Sequence, residues 1–174
     1  MTNLKIIVHG PFASGKTTFI RAISERPVIS VTIPINHKND LVSMDYGFIA
    51  VDNDISIVLL GTHSARPFQL NWRVAEKFVI GCIIMVDSAY PGTFREAKSI
   101  LEVFRAFSRE PYVVVANKQD KDGAWPLDDL RLALDIPPEI PVVPCVATDK
   151  ESVKRVLVAL LNEVLKAMAV GKDV

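Results

Sequence analysis

The segment GPFASGKTTF, Gly10 to Phe19, follows the apolar run LKIIVHG, and it restricts the possible folds more than any other part of the chain. Glycines, small residues and one lysine stand where a strand hands over to a helix, in the spacing Gly10-x-x-x-x-Gly15-Lys16-Thr17. A diphosphate needs several N–H donors converging at short range, and the backbone amides of a wrapped loop supply them. Glycine lacks the Cβ that would block this approach and permits positive φ. The helix that opens at Lys16 adds exposed amides and the positive end of its dipole. The reading is a phosphate cradle made by Gly10, Ala13, Ser14, Gly15, Lys16, Thr17 and Thr18. In it Lys16 spans the β- and γ-phosphates and the Thr17 hydroxyl holds Mg²⁺.

Strand-length apolar runs alternate with helical periods along the rest of the chain. LVSMDYGFIAV and ISIVLL, joined by the turn-like DNDI, predict a hairpin. FQLNWRVAEKF is amphipathic and leads into the strand GCIIMVDS. Phe94, Ala97, Ile100, Leu101 and Phe104 share one helical face, and the strand YVVVANK follows. PLDDLRLAL precedes PVVPCVA, and a last helix carries a stripe of Val153, Val156, Leu157, Ala159, Leu160, Val164 and Leu165. Strands this uniformly apolar lie in a sheet covered on both faces. The pattern predicts one α/β domain over residues 1–174 with a mostly parallel sheet.

Twenty basic residues balance twenty acidic ones, so nothing in the charge points to nucleic acid or an anionic membrane. Cys82 and Cys145, both in apolar settings, read as buried thiols. Apolar stretches fall short of the roughly 20 residues of a membrane span. Thr2 stands where myristoylation needs glycine, and VGKDV has no prenylation cysteine. The expectation is a cytoplasmic protein without a membrane anchor.

A second polar loop ends the strand VVVANKQD. The carboxylate of Asp120 matches the N1–H and exocyclic amine of guanine, whereas adenine offers no such donor pair and would leave a buried acid unsatisfied. The aliphatic stem of Lys118 suits the face of the base, and Asn117 can tie this loop to the phosphate loop. In VPCVATDK, the Ala147 N–H is the candidate donor to the guanine oxygen, with Thr148 beside it.

With both motifs in order, the chain resembles the Ras-like small GTPase superfamily from about Leu4 to Ala169. More narrowly, it is similar to prokaryotic small GTPases of the gliding-motility and cell-polarity group, on Gly61-Thr62, Met44 to Gly47 and Val143 to Val153. The resemblance implies a P-loop NTPase small G-domain. Its sheet would have six strands, one of them antiparallel, with five helices on both faces and GTP or GDP with Mg²⁺ at the strand C-termini.

Departures cluster where the γ-phosphate is sensed and attacked. Leu41 stands where the family has a Mg²⁺-binding threonine, and leucine cannot ligate a hard cation; Thr32 lies nine positions earlier. Gly61 replaces an aspartate that supports the Mg²⁺ sphere, Ser64 a glycine, and Ala65 the water-positioning glutamine. Arg66 and His63 are weak catalytic candidates, and Asn36, His37 and Asp40 are further polar neighbours. The implied function is a Mg²⁺-dependent guanine-nucleotide-binding protein with slow or partner-dependent hydrolysis. A protein effector or activator would read its switch regions, about Pro27 to Asp40 and Thr62 to Arg73. The alternative is a non-hydrolysing scaffold acting through protein contacts. A P-loop kinase is disfavoured, because no arginine-rich lid is present.

Overall fold

The computed structural model describes residues 2–34, 41–62 and 78–170. His63, Ser64, Ala65, Arg66, the segment FQLNWRVAEKF apart from Phe78, and Asn36, His37 and Asp40 lie outside the described residues.

β1 (Thr2–His9) leads through the glycine-rich loop into α1 (Lys16–Ile23). β2 (Ile29–Pro34), β3 (Leu41–Ala50) and β4 (Ile55–Thr62) follow, then β5 (Val79–Asp87), α2 (Phe94–Phe107) and β6 (Tyr112–Asn117). The chain continues through α3 (Leu127–Ala133), the short β7 (Val142–Pro144) and α4 (Lys150–Val170). The strands form one sheet in the order β2-β3-β4-β1-β5-β6-β7. β3 runs antiparallel to both neighbours, and the pairs among β4, β1, β5, β6 and β7 are parallel.

The sheet thus has seven strands among the described residues, where six were expected. The additional one is ISVTIP, within a stretch read above as switch loop. Its β-branched residues suit a pleated surface, and it pairs residue by residue with β3, from Ile29 opposite Tyr46 to Pro34 opposite Leu41. The expected hairpin between β3 and β4 is present. Asp52 Oδ1 accepts the N–H groups of Asp54 and Ile55, both at 2.7 Å, which closes the turn.

Side chains alternate across the sheet and feed two apolar layers. Ile6, Val8, Leu59, Ile83 and Val115 pack with Phe19 and Ile20 of α1 and with Val153, Val156 and Leu160 of α4. Ile7, Leu60, Ile84 and Val114 pack with Ala97, Leu101 and Phe104 of α2 and Leu130 of α3. Each fully buried side chain of this size contributes about 1.5–3 kcal/mol. The stripe expected on α4 is narrower than its sequence suggests, since Leu165 is 63% exposed. Cys82 and Cys145 are buried and unpaired as thiols. α1 ends where Ser24 turns extended, and the Ser24 hydroxyl accepts the Phe48 N–H at 3.0 Å, fixing the helix against β3.

β1 pairs with β4 on one side and β5 on the other. The loop after β1 therefore opens at the crevice outside the strands' C-terminal ends, where open α/β sheets bind ligands.

Candidate nucleotide site

Local stereochemistry builds the loop between β1 and α1. Gly10, Ala13 and Gly15 all have positive φ, at 149°, 59° and 102°. A Cβ at Gly10 would run into the Met85 carbonyl, and one at Gly15 into the Asn117 side-chain amide. The glycines are therefore set by close approach as well as by torsion. Lys16 curls back so that Nζ donates to the carbonyls of Gly10 at 2.9 Å and Pro11 at 2.7 Å. Burial pulls its pKa down to about 8, against the opposing pull of the Glu96 and then Asp45 carboxylates. A buried ammonium under such a penalty favours an anion beside it.

Two adjoining cavities open above this loop. The first, about 320 Å³, is lined by Phe12, Ala13, Gly15, Lys16, Thr17, Thr18 and Lys118. The second, about 180 Å³, is lined by Gly15, Thr18, Asn117, Lys118, Asp120, Lys121, Val146, Ala147 and Thr148. Gly15, Thr18 and Lys118 belong to both. Asn117, 2% exposed, joins the two loops. Its Nδ2 donates to the Ser14 carbonyl at 2.8 Å and its Oδ1 accepts the Ala147 N–H at 3.0 Å. The structure thus brings together all twelve residues named above for phosphate and base. One detail differs: the Ala147 amide, assigned above to the guanine oxygen, here donates to Asn117.

At the other end of the first cavity, the Thr17 hydroxyl donates to Asp45 Oδ2 at 2.6 Å, and Ser30 donates to Asp45 Oδ1 at 2.5 Å. Asp45 is 1% exposed and lies on β3 directly opposite Gly61. A Cβ at Gly61 would meet Ile20 and stand 3.5 Å from the Asp45 Cβ. An acid thus stands on β3 beside the position on β4 where the family resemblance sought one. Sequence reasoning passed over it, because Asp45 is inside MDYG; the signal was an acid on an otherwise apolar strand whose register puts it opposite residue 61. The hydroxyl and carboxylate oxygens suit a hard cation such as Mg²⁺. Among the described residues, no three His, Cys, Asp or Glu side chains converge on one point.

His9 precedes the glycine-rich loop at the end of β1. It is 3% exposed, and its Nδ1 lies 2.5 Å from the Thr62 hydroxyl at the end of β4. Burial first, and the Lys16 charge second, lower its pKa to about 4, so the ring is neutral at pH 7. Leu41, where a Mg²⁺-binding threonine was sought, is the first residue of β3.

A seven-stranded sheet of this order, with the glycine loop leaving β1, is that of a small G-domain. One solved structure similar to it is the Arl6 BBS3 small GTPase from Trypanosoma brucei with the bound nucleotide analogue GppNp. It superposes with a TM-score of 0.70 over 95% of this chain and 99% of its own, at 20% identity. Residues 1–164 match the profile of the ADP-ribosylation factor family. The ADP-ribosylation factor-like protein 3 of Chlamydomonas reinhardtii is 31% identical over 137 residues, 76% of this chain and 72% of that protein. The human ADP-ribosylation factor-like protein 9 is 29% identical over 136 residues, 76% and 67% of the two chains. The chain belongs to the ADP-ribosylation factor family of Ras-superfamily small GTPases. The narrower likeness to prokaryotic motility and polarity switches, which rested on a few short motifs, is not supported by these matches.

Proposed function

We propose that this chain, as a single G-domain, binds GDP and GTP with Mg²⁺ and hydrolyses GTP slowly or only with a protein partner. The observation that carries the reading is Asn117, whose two amide atoms bond the Ser14 carbonyl of the phosphate loop and the Ala147 N–H at 2.8 and 3.0 Å, beside two cavities that share Gly15, Thr18 and Lys118. The bound GppNp of the Trypanosoma brucei relative is in keeping with it.

In this reading the backbone amides from Ala13 to Thr18 and the Lys16 ammonium receive the phosphates. Asp120 accepts from the guanine edge, Lys118 lies under the base, and Ala147 and Thr148 close the pocket. Thr17 would hold Mg²⁺ directly and Asp45, oriented by Ser30, would support it. The cation would neutralise charge on the β- and γ-phosphates. Ala65 cannot orient an attacking water. His63 and Arg66 are left as the polar groups nearest in sequence, and a partner as the other source of one.

Incubation of the purified chain with GDP, GTP and ADP, with and without Mg²⁺, tests this directly. Guanine nucleotides should bind at least tenfold tighter than ADP, and Mg²⁺ should strengthen binding. Turnover should stay near or below the ~10⁻⁴–10⁻³ s⁻¹ of an unassisted small GTPase; a rate near ~1 s⁻¹ would refute the catalytic part. The scaffold reading is favoured by the sequence, in which Leu41, aligned with the family's Mg²⁺-binding threonine, carries no hydroxyl. Equal affinity for GDP and GTP would support it, because a ligand pair without differential contacts moves no equilibrium.

A further inference from the structure

Lys118 is held in an unusual way. Its φ is +64°, a left-handed conformation uncommon for a residue with a side chain. Such strain persists only where surrounding contacts over-determine it, and here they come from the end of β5. Asp87, the last residue of that strand, pairs with Asn117 across the sheet. Its Oδ2 accepts the Lys118 ammonium at 2.5 Å while Oδ1 accepts the Ala89 N–H at 3.1 Å. Next to it, the Ser88 hydroxyl donates to the Asn117 carbonyl at 2.6 Å and accepts from the Gln119 amide at 2.8 Å. Trp125 N–H returns to the Ser88 carbonyl at 2.9 Å.

Two features separate the Asp87 pair from an ordinary surface ion pair. The Asp87 side chain is 10% exposed, against 70% for Asp135 in its pair with Lys98. Lys118 also lines both the phosphate cavity and the base cavity. With its head held at Asp87, its four-carbon stem is restrained beside both. The other acid nearby is Asp120, whose described ion pair is a looser one to Lys121 at 3.4 Å. An ammonium released from Asp87 would have that carboxylate within the same pocket to turn to.

We propose that Asp87 is a positioning residue for base recognition: by anchoring the Lys118 ammonium it sets the lysine stem as the platform under the base and keeps it away from Asp120. This rests on the guanine-nucleotide reading above, and it adds a group outside the base-reading motif that prepares the pocket before nucleotide arrives.

The test is a double-mutant cycle on GDP affinity and release, using Asp87→Asn, Lys118→Ala and both together. Asparagine keeps the size of the side chain and the acceptor for Ala89, and removes the charge. Asp87→Asn should weaken GDP roughly tenfold through faster release, within the range of measured couplings between contacting residues. The double variant should be no weaker than Lys118→Ala alone, and the nucleotide-free unfolding temperature should stay close to wild type. Wild-type affinity in Asp87→Asn, losses that multiply in the double variant, or a chain that no longer folds would each overturn the proposal while leaving the guanine reading in place. Absence of GDP uptake by the wild-type chain would remove both.

Discussion

The two ends of the proposed nucleotide site, one for the base and one for the cation, are assembled differently. At the base end, Asn117, Lys118 and Asp120 fall within four residues at the end of one strand, and Lys118 and Gln119 meet Asp87 and Ser88 at the end of the neighbouring strand. At the cation end, Thr17 comes from α1, Asp45 from β3, Ser30 from β2, and His9 and Thr62 from the tips of β1 and β4. The base-reading residues themselves come from one short segment of chain. The cation end depends on the β3–β4 register. A one-residue slip would turn Asp45 to the opposite face, and Thr17 would lose its acceptor.

The largest expected effect lies at the base end. Asp120→Ala should weaken GDP by about 10²–10³-fold, since two hydrogen bonds to a charged acceptor are lost, and should leave ADP binding unchanged. Calorimetric titration of both nucleotides checks this, and retained GDP affinity would erase the contrast between the ends.

Next comes a pH effect confined to the cation end. His9 has a folded pKa of about 4 against 6.5 when exposed. The unfolded chain therefore binds more protons between those values, and stability rises with pH across that window. It is fully present above about pH 6.5 and is lost as the pH falls toward 4, by up to about 3 kcal/mol. Denaturant unfolding at pH 7 and pH 5 should show the loss in wild type and a smaller one in His9→Gln. Equal slopes in the two proteins would show that the buried imidazole is not its source.

The smallest effect is the sharpest test of the carboxylate on β3. Asp45→Asn keeps a hydrogen-bond acceptor for Thr17 and removes the charge. Mg²⁺ should slow GDP release from wild type by about tenfold or more and from Asp45→Asn by less than twofold, as expected when an anionic support for a hard cation is lost. Release rates measured with Mg²⁺ and with a chelator would decide it; an undiminished Mg²⁺ effect in the variant would place the support elsewhere.

Legibility in the sequence follows the same division. The phosphate loop, the base loop, the β3–β4 hairpin and the apolar faces of α2 and α4 could be read from spacing and period because each is a local pattern. β2 was hidden, since ISVTIP is short and sits in a stretch that the family resemblance assigns to a loop. Gly61 was readable as a loss, and the acid beside it was not: Asp45 and Gly61 are sixteen positions apart and meet only through strand pairing. Asp87 ended a strand like any other polar residue until β5 and β6 were set side by side.

By itself the sequence determined where the glycine-rich loop and the Asn117–Asp120 loop fall and which residues they carry, because torsional preference and short-range spacing decide those. The tertiary structure decided which acid serves Thr17, which hydroxyl meets His9, where the Lys118 ammonium rests and what the Ala147 amide donates to. Those outcomes follow from cross-strand register and from buried polar groups having to find partners, and such partners are chosen by proximity in space.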